Sequence, residues 1–81
     1  MTKTKPRTLR EIAWEITNDW KVVHYAAKPY LSVMHSLENI DDMYWNDHGK
    51  HVVRYFLSNA GNWRGETARR IKLELKEMLG S

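Results

Sequence analysis

Between Asn62 and Gly80 one stripe of apolar residues returns at every third or fourth position, at Ala68, Ile71, Leu75 and then Met78 or Leu79. Side chains at that interval share one face of an α-helix, whereas in a strand they would alternate between faces. The pattern commits the C-terminal segment to a helix that must bury one stripe against other elements. Asn62 is suited to cap its start and Gly80 to stop it.

The rest of the chain supplies similar stripes. Thr8 and Glu11 have the spacing of a capping box, in which the hydroxyl accepts from the helix backbone and the carboxylate reaches back. Leu9, Ile12, Ala13, Ile16 and Trp20 then form the apolar face of a first helix, which frays over residues 18–21; Trp14 and Glu15 fall off it. Residues 22–25 read as a connection or a helical turn, because no later segment offers a convincing strand partner. Pro29 fits the first turn of a second helix, where its missing N–H is not needed, with Tyr30, Leu31, Met34 and Leu37 on the apolar side. Asn39, Asp41 and Asp42 end that helix in a polar loop. Asp47 is placed to cap a third helix, with Gly49 tolerated at its start, and Val52, Val53, Phe56, Leu57 and Ala60 form its buried face. Gly61 follows as a C-terminal cap. With 81 residues, 42% of them apolar, the expectation is an all-α, compact four-helix single domain over residues 8–81, preceded by a flexible basic arm over residues 1–7.

Composition removes several function classes. The absence of cysteine excludes disulfides, zinc ribbons and thiol nucleophiles. No apolar run is long enough to cross a membrane. The basic N-terminus lacks the apolar stretch of a signal peptide, so a cytoplasmic protein is expected. A domain this small does not readily enclose a deep substrate cleft, which weighs against an enzyme. The net charge of +3 conceals an uneven layout. Lys3, Lys5, Arg7 and Arg10 make the start basic, Glu38, Asp41, Asp42 and Asp47 make the middle acidic, and Arg64, Arg69, Arg70, Lys72 and Lys76 enrich the last helix in cations among interspersed glutamates.

Four constellations bear on chemistry. His48 and His51 lie three apart, beside Asp47, so two imidazoles and a carboxylate could face a zinc ion; the plainer reading is two solvated rings, and no metal is expected. Ser32, Ser36 and Ser58 occur in no nucleophile frame, and the four glycines are too scattered to cradle a phosphate; no catalytic residue and no cofactor are expected. Helices three and four, joined across residues 58–62, suggest a helix-turn-helix that would present Arg64, Arg69, Arg70 and Lys72 to DNA or RNA; the alternative is a solvated helix face. Finally, Tyr44 and Trp45 sit in the acidic loop, where they either dock on the core or stay exposed. If exposed, they would join Asp41, Asp42, Trp63 and Arg64 as aromatic anchors and charged rim of a protein-binding surface.

The segments 55–60 (Tyr-Phe-Leu-Ser-Asn-Ala), 62–72 (Asn-Trp-Arg-Gly-Glu-Thr-Ala-Arg-Arg-Ile-Lys) and 25–31 (Tyr-Ala-Ala-Lys-Pro-Tyr-Leu) resemble short proteins of bacterial phages and mobile elements. That resemblance implies a setting and no particular functional residue. Small proteins of this setting bind host machinery, regulate transcription or block defence nucleases, as anti-CRISPR proteins do; the likeness to the latter is one of size and setting. The leading expectation is a non-enzymatic binding protein that occupies a surface of a host nucleic-acid-handling or defence complex. The alternative is a small helix-turn-helix-like DNA-binding regulator.

Overall fold

The computed structural model describes residues 7–80. It contains four helices, α1 (Leu9–Asp19), α2 (Lys28–Met34), α3 (Gly49–Ser58) and α4 (Glu66–Gly80), and a minimal hairpin of β1 (Met43–Tyr44) and β2 (Asp47–His48) between α2 and α3. The main helix contacts run α1–α2, α2–α3, α3–α4 and back from α4 to α1, so the four helices close a ring around one core. The fold is all-α in its architecture.

Each helix buries the stripe that its sequence carries. Leu9, Ile12, Ala13 and Ile16 of α1, Leu31 and Met34 of α2, Val52, Val53 and Phe56 of α3, and Ala68, Ile71 and Leu75 of α4 are all in the core. Leu57, Met78 and Leu79 pack against it from the edge. The capping box forms as spaced: the Glu11 N–H donates to Thr8 Oγ1 at 3.0 Å and the Thr8 N–H donates to Glu11 Oε1 at 2.9 Å. Residues 25–27 form a turn, with the Ala27 and Lys28 N–H groups both donating to the His24 carbonyl, so residues 22–25 are a connection rather than a strand. The basic arm expected over residues 1–7 lies outside the described residues except for Arg7. That residue belongs to the domain, since its guanidinium pairs with Glu15 on α1 and Glu74 on α4, both at 2.6 Å.

The helix ends depart from the sequence reading at five residues. Asp47 does not cap α3; it pairs with Tyr44 in the ladder, and His48 holds the capping position without a side-chain bond. Gly49 is buried rather than merely tolerated, because a Cβ there would stand 2.6 Å from the Ile40 carbonyl oxygen. Gly61 does not cap α3, which closes at Asn59. Asn62 does not cap α4 either, because the chain first drives Trp63 into the core and only then begins the helix at Glu66. Gly65 makes the bend between them at a φ of +113°, a conformation that side-chain-bearing residues rarely adopt. Gly80 is the last residue of α4 rather than a stop beyond it.

Trp63 completes an aromatic layer. Its ring stacks on Trp20 at 5.7 Å between centroids, and both meet Phe56 edge to face. Its Nε1–H donates to Asp19 Oδ2 at 2.8 Å, so the polar tip of the indole is satisfied at the rim of the core.

Candidate binding surface

The acidic loop folds into a projecting hairpin. Met43 pairs with His48 and Tyr44 with Asp47, which leaves Trp45 and Asn46 as a two-residue turn. Trp45 has a φ of +57° and, among the described residues, is the non-glycine residue in the left-handed region. The first position of such a turn normally goes to glycine when only that position has positive φ. Here it carries an indole that is 84% exposed. Met43 is 53% exposed and Tyr44 37% exposed beside it, with the Tyr44 and Trp45 rings meeting edge to face at 6.4 Å.

The base of the hairpin is firmly tied. The Asp42 carboxylate accepts from the Glu38 and Asn39 N–H groups, and the Asp42 carbonyl accepts from the Gly49 N–H at 2.8 Å. Asp42 therefore holds the loop, while Asp41 is exposed and, among the described residues, makes a long ion pair with Lys50 at 4.0 Å. Asp47 is also exposed. The tip is an apolar strip, Met43-Tyr44-Trp45, with carboxylates on both sides.

The six residues expected at a protein contact are thus divided. Tyr44, Trp45 and Asp41 share the hairpin, and Asp42 supports it from below. Trp63 cannot join them as an anchor: its ring is 2% exposed because it fills the core between Trp20 and Phe56. Arg64 is exposed but follows the far end of α3, about 15 Å of helix away from the hairpin. Met43 was not among the expected contacts. The signal for it was present, since Met43-Tyr44-Trp45 is an apolar run without helical spacing between acidic flanks.

The cations expected to meet nucleic acid are divided as well. Arg70 bonds to Glu15 on α1, and that bond, followed by the one from Arg7, holds the Glu15 carboxyl below the ordinary carboxylate range. Arg64, Arg69 and Lys72 instead line an open hollow beside Gly61 and Gly65. Residues 59–65 join α3 to α4 with a buried tryptophan among them, whereas a helix-turn-helix uses a turn of roughly three or four residues. His48 and His51 do come together, at 5.8 Å between ring centroids, but among the described residues no three His, Asp or Glu side chains gather as a metal-binding group. No helix among the described residues is long and apolar enough to cross a membrane.

Comparison with known protein families, with curated proteins and with solved structures returns no match.

Proposed function

We propose that this chain is a non-enzymatic binding protein that docks on a folded protein through the hairpin at residues 43–48. The observation that carries this reading is Trp45, a large ring held out in solvent on a backbone conformation that disfavours it. A left-handed conformation costs a residue with a Cβ roughly 1–2 kcal/mol, and an exposed indole returns little to the fold. Strain of this kind is retained where the surroundings and a use for the geometry demand it. Tryptophan is also the residue type most enriched among the anchors that dominate binding energy.

The chemistry of the hairpin describes its partner. Asp41 and Asp47 flank the ring, so the complementary surface is an apolar cleft with a basic rim. Proteins that handle nucleic acid carry such basic surfaces, and the resemblance to phage and mobile-element proteins directs the search to host nucleic-acid-handling or defence complexes. Inhibition of the anti-CRISPR type is the activity to assay, with a cytoplasmic site of action. The DNA-regulator reading is weaker, because Arg70 is engaged by Glu15 and the connection before α4 is too long for the motif.

The test is affinity capture from a bacterial host carrying defence systems, with the wild-type chain, Trp45→Gly, Tyr44→Ala and Asp41→Asn compared. A specific partner should be retained by the wild type and lost by Trp45→Gly, a change expected to weaken binding by about 2 kcal/mol or more. Asp41→Asn should slow association and flatten its salt dependence while leaving a complex that still forms. Equal capture by wild type and Trp45→Gly would overturn the reading.

A further inference from the structure

At the opposite end of α3 from the hairpin, residues 61–65 and the first half of α4 enclose an open hollow of about 360 Å³. Three of its walls are cations, Arg64, Arg69 and Lys72. Among the described residues, no carboxylate lies within ion-pair distance of any of them; Glu15 on α1 and Glu74 on α4 pair with Arg7 and Arg70 instead. Lys72 is pinned rather than free to move into solvent. Its Nζ donates to the Trp63 carbonyl at 2.7 Å and stands 5.9 Å from the centroid of the Trp63 ring. Partial burial, and then the positive charges of Lys76 and Arg64, lower the Lys72 pKa. The charges of Arg64 and Lys76 disfavour the charged form of Lys72, and among the described residues no acid pairs with Arg64, Arg69 or Lys72.

We infer that this hollow is a binding site for a phosphate group, distinct from the protein-docking hairpin. Two guanidinium groups and an ammonium can give a phosphate bidentate, charge-assisted hydrogen bonds from several directions. Gly61 and Gly65 leave open space where side chains would otherwise stand, so the ligand meets a low wall there. The hollow offers no aromatic face to a base: Trp63, the ring in its lining, is covered by Trp20 on one face and is 2% exposed. Recognition is therefore of the phosphate and not of a base, whether that phosphate belongs to a free nucleotide or to a nucleic-acid strand. A carboxylate-bearing peptide is the competing ligand, but its single charge per group matches a hollow lined by three cations less well.

The test is a titration of the full chain followed by amide NMR, using inorganic phosphate, an adenine nucleotide, a short single-stranded oligonucleotide and a polyglutamate peptide. Phosphate should shift the amides of residues 61–72 selectively. Arg64→Gln with Arg69→Gln should weaken that response about tenfold, as expected for loss of charge-assisted bonds. Arg70→Gln, outside the hollow, should leave it intact, and the variants' unchanged circular dichroism would exclude unfolding as the cause. Tighter binding by the oligonucleotide, with a log–log salt slope of about 0.7 for each phosphate neutralised, assigns the site to a strand. Equal binding by nucleotide and oligonucleotide assigns it to a terminal or free phosphate. No selective shift, a shift unchanged in the double variant, or stronger binding by polyglutamate would each overturn the proposal.

Discussion

His35 lies against α1 with its ring edge-on to Trp14 at 4.7 Å and its Nε2 3.0 Å from Thr17 Oγ1. The Thr17 hydroxyl donates its hydrogen to the Ala13 carbonyl, so the imidazole Nε2–H is the donor to Thr17 and the neutral ring already fills this place. Burial holds the His35 pKa below the ordinary imidazole value. Unfolding therefore takes up a proton at mildly acidic pH. The contribution of His35 is full above a pH of about 6.5 and is lost as pH falls from there through the lower folded value. Denaturant midpoints measured across that window should decline toward acid in the wild type, and the decline should shrink in His35→Gln, whose amide can still donate to Thr17. An unchanged decline would assign the dependence to other groups. Glu15, whose carboxyl is lowered by Arg70 and then Arg7, adds a loss of the same sign below the ordinary carboxylate range.

At the scale of elements, the hairpin depends on a close approach that only glycine permits. The α3 start passes under Ile40, and a methyl group on Gly49 would stand 2.6 Å from one backbone oxygen and 3.2 Å from that of Asn39. Backbone atoms cannot swing away as a side-chain end can. Gly49→Ala should therefore cost about 1–3 kcal/mol in equilibrium unfolding and speed hydrogen exchange at the base of the hairpin; unchanged stability would show that the loop is free to shift. The four helical stripes were legible in the sequence because each repeats at helical spacing, over nearly two turns in the seven-residue α2 and over more in the other three helices. The hairpin was not, since two-residue strands show no alternation. The α4 start was misplaced at Asn62 for a different reason. Local capping preference favoured that residue, but burying Trp63 against Trp20 and Phe56 postponed the helix until after Gly65. From their place in an acidic loop, Tyr44 and Trp45 read as rings that either dock on the core or stay exposed; their exposure, like the burial of Trp63, is a long-range property that no local pattern announces.

Across the whole molecule, α3 separates two surfaces of opposite character. Its N-terminal end carries the acidic hairpin with an exposed apolar tip, and its C-terminal end leads to the basic hollow of Arg64, Arg69 and Lys72. The core between them is complete without either, since Leu9, Ile12, Ile16, Phe56, Ile71 and Leu75 are fully buried and the hairpin rings are outside it. The central claim is that Trp45 is held away from that core for a use other than stability. Equilibrium denaturation of Trp45→Gly tests it most directly. Glycine relieves the positive φ at the cost of some chain entropy, so the account expects the variant to be as stable as the wild type or more stable by up to about 1 kcal/mol. A loss of about 2 kcal/mol or more, the range of a buried large side chain, would show that the indole packs on the domain and would contradict the account.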